Sequence, residues 1–167
     1  MRVGIGIDFH KFGVGRKLFI GGVEIKHDKG LIGHSDADVL LHAICDAMLG
    51  AAGLGDIGKY FPETEKYKGI RSTKILAEVN AMIKDRWQIN NIDAVVIAEE
   101  PKLAHHIHAI RGKISKLLGI SMDKVNVKAT TTEGMGAIGR GEGIAAHSVV
   151  TLRDNQAQSP KNDEYPV

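Results

Sequence analysis

The sequence predicts a single α+β domain: a mostly four-stranded sheet with helices packed on one face, plus a short β-hairpin. Three observations carry that prediction. Segments of two-residue apolar alternation are interspersed with segments of helical periodicity, in the order strand, hairpin, helix, helix, strand, helix, strand, strand. A chain of 167 residues has the length of one domain, and 43% hydrophobic with 25% charged residues is the composition of a globular chain able to bury a core. Only 5% is aromatic, so that core must be built from Ile, Leu, Val and Ala.

Residues 2–10 alternate as a strand, with Val3, Ile5 and Ile7 on one face. Two short β-like runs flank Gly21-Gly22, a dipeptide suited to a tight hairpin turn. Ser35 and Asp38 form a capping-box pattern ahead of helical spacing from Val39 to Leu49, predicting a helix over 36–51 that ends near Gly53 or Gly55. A second helix is expected over 72–87, with Ser72 as cap and Ile75, Val79, Met82 and Ile83 facing inward. Residues 92–98 read as a buried strand. Pro101 suits the first turn of a third helix, with Leu103, Ile107, Ile110, Ile114 and Leu117 as its inner stripe. Residues 125–131 and 143–153 supply the last two strands. The domain is thus placed over 1–153, with 154–167 as a polar, disordered tail that has almost nothing to bury.

A net charge of +2 without any block of like charge argues against nucleic acid or a membrane as partner. Cys45 is the single cysteine, which excludes an intrachain disulfide and fits a reducing compartment. With no signal-peptide pattern at the N-terminus and no run of about 18 apolar residues, the expected location is the cytoplasm.

Asp8 and His10 lie two apart on the first strand, so both side chains leave the same face. His42, one turn after Asp38 on the first helix, can complete a site of one carboxylate and two imidazoles, with Asp38 expected to support its ring. Three such ligands with an open fourth position are the pattern of catalytic zinc, although other divalent transition metals take similar donors. A D-x-H pair alone is common, and a lone His42 reads as an ordinary histidine. The crowding of H-S-D-A-D-x-x-x-H at one helix entry lifts the set above that reading. Cys45 is read as a small core residue, and His105, His106 and His108 as a solvated helix face.

The segment Lys128-Ala-Thr-Thr-Thr-Glu133 offers ammonium, hydroxyl and backbone donors to phosphate oxygens, and Glu133 suits a magnesium ion shared with phosphates. A plain strand of high β-propensity is the competing reading. Gly134, Gly136 and Gly139 spell G-x-G-x-x-G, but a strand rather than a helix follows, so a dinucleotide fold is rejected.

Taken together, G-x-D-x-H at 6–10, GHSDADVLLHA at 33–43, LGDIGKYFP at 54–62, EPK at 100–102, NVKATTTE from 126 and GRGEG ending at 143 resemble the 2-C-methyl-D-erythritol 2,4-cyclodiphosphate synthase family over residues 1 to about 152. The resemblance implies a phosphorus–oxygen lyase that releases CMP while forming a cyclic diphosphate for non-mevalonate isoprenoid precursors. It implies zinc on Asp8, His10 and His42, and magnesium or manganese on Glu133. Asp8 and His10 would also touch the substrate, and His34, Ser35, Asp56, Ile57, Gly58, Phe61, Pro62, Glu63, Thr64 and Glu65 would meet the methylerythritol phosphate end. Ala98, Glu99, Glu100, Pro101, Lys102, Leu103, Ala104, Thr130, Thr131, Thr132 and Glu133 would hold the cytidine diphosphate end, with Arg140 also at the substrate. His34 and Thr131 match the positions that stabilise the transition state. The resemblance further implies a homotrimer with active sites between subunits. Two alternatives remain at this stage: a zinc phosphohydrolase of a nucleotide diphosphate, and a non-catalytic nucleotide-binding module.

Overall fold

The computed structural model describes residues 1–155, in which seven strands and five helices follow one another: β1 (Arg2–Val14), β2 (Leu18–Ile20), β3 (Val23–Ile25), β4 (Lys29–Leu31), α1 (Val39–Ala52), α2 (Ile57–Tyr60), α3 (Ser72–Ile83), β5 (Trp87–Ile97), α4 (Ile107–Leu118), β6 (Val125–Thr130), α5 (Gly136–Gly139) and β7 (Gly143–Asp154). Four long or medium strands form the expected sheet. The short β4 extends it along the far end of β1, giving the order β4-β1-β7-β5-β6, antiparallel except for the β5–β6 pair. The predicted hairpin is the separate β2–β3 pair, turning at Gly21 and Gly22 with φ of 62° and 78°. The last strand runs on through Asp154. Of the rest of the tail expected over 154–167, Asn155 donates its backbone N–H to the Arg86 carbonyl at 2.9 Å, and 156–167 lie outside the described residues.

α1 packs across β1 and β7, and the sequence of β1 explains how closely. Its residues facing the helix are Gly4 and Gly6, where an added Cβ would sit 2.0 Å from the Ala47 carbonyl oxygen and 1.9 Å from that of Ala43. Missing side chains let helix and strand backbones approach, and that approach brings His42 down to Asp8 and His10 further along the same face. Gly6→Ala should therefore destabilise the fold by about 3 kcal/mol, at the upper end of overpacking costs. A urea midpoint within experimental error of the unaltered chain would refute this.

On the opposite face of the sheet, Val3, Ile5, Ile7 and Phe9 are 65%, 64%, 45% and 63% exposed. They do share one face, as their alternation predicts, but it is the outer one. Among the described residues no helix covers it, and Val149 of β7 continues the apolar strip.

Several local expectations are corrected. α3 stops at Ile83 rather than 87, and Met82 is 41% exposed while Ile75, Val79 and Ile83 are buried. Trp87 already opens β5, five residues before the expected strand start. Its buried alternation runs Trp87, Ile89, then shifts phase to Ile92, Ala94 and Val96, because a bulge lies between Ile89 and Asn91. One extra residue reverses which parity faces inward, so the first part of the strand does not read as one with the rest. Pro101 is not in a helix. It follows a cis peptide bond from Glu100, and α4 begins only at Ile107, burying Ile110, Ile114 and Leu118 while Leu117 is half-buried.

The start of α1 differs in its cap. Asp38, not Ser35, is the N-cap, accepting from Leu41 N at 3.1 Å. The same carboxylate accepts from Gly21 N at 2.8 Å and Gly22 N at 2.6 Å, fastening the hairpin turn to the helix. Asp38 therefore spends its oxygens on backbone amides, while the His42 ring has its hydrogen-bond partners in Asp8, His10, Ser35 and Ser72. Gly53 ends the helix in a left-handed conformation, as expected. Cys45 is buried in the core, and no helix among the described residues is long and apolar enough to cross a membrane.

Candidate metal and nucleotide site

Asp8, His10 and His42 come together as the sequence suggests. Asp8 Oδ2 lies 3.0 Å from His10 Nε2 and 3.0 Å from His42 Nδ1, and the two imidazole nitrogens are 3.2 Å apart. Ligands at about 2.0–2.1 Å around a tetrahedral ion sit about 3.3–3.4 Å from one another, so a small expansion of this triad would make a zinc-sized cradle. His10 Nδ1 donates to the Ile32 carbonyl at 2.7 Å, which leaves Nε2 as the nitrogen with a lone pair toward the cluster. Burial alone would raise the Asp8 carboxyl, but hydrogen bonds and charge from the two histidines outweigh it and hold the group well below the usual carboxylate range. Burial would likewise lower His10, and the neighbouring Asp8 carries it above its ordinary value instead. Both directions describe a pocket that attracts positive charge, and the donor set fits a divalent ion.

The triad opens into a cavity of about 210 Å³ lined also by His34, Ser35, Ile57, Gly58, Phe61 and Glu63. The walls are built by the loops before α1 and around α2. Asp46 of α1 accepts from Ile57 N at 2.8 Å, which ties the α2 loop to the helix carrying His42. His34 Nε2 donates to the Thr64 carbonyl at 2.6 Å, and Phe61 meets Tyr67 edge-on with ring centres 5.5 Å apart. Other predicted contacts have local duties. The Asp56 carboxylate caps α2 at Lys59 N, Glu65 pairs with Lys68, and Pro62 and Thr64 are not among the lining residues.

The second half of the predicted site forms elsewhere. A cavity of about 160 Å³ is lined by Ala98, Pro101, Lys102, Leu103, Ala104, Ala129, Thr130 and Thr131. Glu99 lies beside it and organises its loop: Glu99 Oε1 accepts from Thr132 N at 2.8 Å, Thr132 Oγ1 at 3.0 Å and Gly134 N at 3.4 Å. These donors, led by Thr132 N, hold Glu99 below its ordinary value. Glu133 takes a left-handed φ of 53° and accepts from the Thr131 hydroxyl at 2.7 Å. Glu99, Glu100 and Arg140 border a third, charged cavity of about 470 Å³, where Arg140 donates to Glu142 at 2.6 Å. Lys128, expected to offer a donor to phosphate, is committed to both oxygens of Asp93 at 2.6 Å.

The cavity at the triad and the cavity beside Ala98–Ala104 share no lining residue on one chain. Tyr67, Ile70 and Ile75 also line the metal cavity, and Ser72 lies 2.9 Å from His42 Nε2; none of these was singled out for the site from sequence. Ser72 was legible only as a helix start, since nothing in a linear reading pairs it with a residue thirty positions earlier.

Comparison with known proteins agrees with this geometry. The family model described as the YgbB family matches residues 1–153. The 2-C-methyl-D-erythritol 2,4-cyclodiphosphate synthase of Alkaliphilus metalliredigens is 60% identical over 154 residues, covering 91% of this chain and 97% of the relative. Among solved structures, the bifunctional IspDF of Campylobacter jejuni superposes with a TM-score of 0.89 at 43% identity, covering 92% of this chain and 42% of that longer one. The Plasmodium falciparum IspF in complex with CDP superposes with a TM-score of 0.81 at 34% identity, covering 92% of this chain and 96% of that one. With its family match spanning the whole sheet and helix layer, and with relatives at this level of identity, the chain belongs to the YgbB family.

Proposed function

We infer that this chain is a 2-C-methyl-D-erythritol 2,4-cyclodiphosphate synthase, a lyase of isoprenoid precursor synthesis. It cyclises 4-diphosphocytidyl-2-C-methyl-D-erythritol 2-phosphate and releases CMP. The observation that carries this reading is the Asp8–His10–His42 triad at the mouth of a cavity walled by His34, Ser35 and the α2 loop, in a chain 60% identical to a synthase of that name. In the reaction an oxygen of the 2-phosphate bonds to the β-phosphorus of the cytidine diphosphate. The bond from that phosphorus to the bridging oxygen breaks, and the oxygen leaves with CMP. The nucleophile is already anionic, so the protein's work is positioning and charge neutralisation rather than deprotonation.

Asp8, His10 and His42 would hold zinc, which when bound neutralises charge on phosphoryl oxygens. Glu133 would hold magnesium or manganese; a single carboxylate suits an ion that takes its other ligands from phosphates and water. His34 and Ser35 line the metal cavity and would orient the phosphorylated alcohol, with Ile57, Gly58, Phe61 and Glu63 forming its far wall and Asp56, Pro62, Thr64 and Glu65 fixing that wall in place. Ala98–Ala104 and Thr130–Glu133 would seat the cytidine diphosphate, a role supported by the CDP complex of a relative of the same fold. Thr131 would donate where charge develops at the β-phosphorus, and Arg140 would supply a cation from the α5 loop. The uncovered apolar strip of β1 supports a homotrimer closed around that sheet face.

Incubation with the cytidylylated 2-phosphate, zinc and magnesium, followed by phosphorus NMR, should show a cyclic diphosphate and CMP in equal amounts. A linear phosphate product would mean hydrolysis by water instead. Binding of CDP without any turnover would mean a nucleotide-binding module.

A further inference from the structure

We propose that Ser72, held in turn by Asp36, is a positioning residue that fixes which nitrogen of His42 faces the metal; the proposal rests on reading Asp8, His10 and His42 as a metal site. Ser72 is fully buried at the first residue of α3, just after the N-cap Arg71, and its hydroxyl turns to Asp36 and His42. It lies 2.9 Å from His42 Nε2 and makes a short hydrogen bond to Asp36 Oδ1. Asp36 is itself fixed, accepting from Ser72 N at 3.0 Å and pairing with Arg71 Nε at 2.9 Å.

Counting protons along this chain decides the tautomer. The Asp36 carboxylate can only accept, so the Ser72 hydroxyl hydrogen points at Asp36. Toward His42, Ser72 Oγ can then only accept, and Nε2 must carry the hydrogen. A neutral imidazole has one N–H, so Nδ1 is bare, and Nδ1 is the atom 3.0 Å from Asp8 and 3.2 Å from His10 Nε2. Ser35 Oγ, 3.1 Å from the same Nε2, already accepts from Ala37 N at 2.9 Å and offers a second acceptor to that N–H. With Nε2 already carrying a hydrogen through Ser72, the ring has no lone pair there for the Ser35 hydroxyl hydrogen to meet. Asp36–Ser72–His42 is thus an outer shell reaching the metal from α3, where the sequence suggests Asp38 of the preceding loop.

The test is zinc affinity of the full-length chain, measured by chelator competition, with thermal midpoints recorded beside it. Ser72→Ala should weaken zinc binding by about 10–100-fold, the usual effect of removing an outer-shell partner of a metal-bound histidine. Asp36→Asn should weaken it in the same direction, because a neutral amide no longer obliges Ser72 to act as acceptor. Val79→Ala, a buried change on α3 away from the relay, should lower the thermal midpoint and leave zinc affinity unchanged. Wild-type affinity in both Ser72→Ala and Asp36→Asn would overturn the proposal, as would an equal zinc loss in Val79→Ala. If Ser72→Ala does not fold, Asp36→Asn against Val79→Ala decides. An unaltered chain that binds no zinc would overturn the metal-site reading itself, and this proposal with it.

Discussion

His42→Ala should release the zinc and lower turnover by about a thousandfold, while the chain still folds and associates. On the proposed reading His42 supplies one of three ligating atoms, in a triad whose members lie 3.0–3.2 Å apart. Two remaining ligands on one strand cannot hold the ion with comparable affinity. A bound Lewis acid contributes several kcal/mol to stabilising phosphoryl charge, and about 4 kcal/mol corresponds to about a thousandfold in rate. The substitution also empties a buried site next to Ser35 and Ser72, so circular dichroism and the mass of the assembly must accompany the assay. Metal analysis is the decisive measurement. Full zinc content in the variant would show that the ion sits elsewhere, and unaltered turnover would show that chemistry does not need it.

The triad was legible in the sequence because its spacing carries geometric content: two residues apart on a strand means one face, and a helix histidine beside a crowded cap can meet that face. The fold class was legible for the same reason, since most elements keep a clean period. What escaped reading depended on tertiary contacts or on broken periods. The early part of β5 was lost because the bulge near Asn90 reverses its alternation. The inward face of β1 was hidden because Gly4 and Gly6 signal it by lacking side chains, while the obvious apolar residues Val3, Ile5 and Ile7 face outward. Asp38 looked like a partner for His42 by helical spacing, yet two backbone amides of the Gly21-Gly22 turn claim it. Lys128 looked like a phosphate donor at a strand end, but Asp93 stands beside it on the neighbouring parallel strand.

Mixing two inactive variants should restore activity if each active site draws on two chains. His42→Ala damages the metal half and Thr131→Ala the nucleotide half. These halves line separate cavities with no shared residue on one chain. The uncovered strip formed by Val3, Ile5, Ile7 and Phe9 gives copies of the chain a surface to bury against one another. In a closed ring every interface is of one kind, and each would join the metal half of one chain to the nucleotide half of its neighbour. After dissociation and reassembly of equal amounts, an interface is intact when the metal half comes from a Thr131→Ala chain and the nucleotide half from a His42→Ala chain. Random assembly makes that about one interface in four, so about a quarter of the unaltered activity should return. Separate variants, dissociated and reassembled alone, should stay at their residual level. The formation of mixed assemblies must be demonstrated independently, for example by a mass difference between the two chains. If mixed assemblies form and activity does not rise above that of the separate variants, the two halves work within one chain and the shared-site reading is wrong.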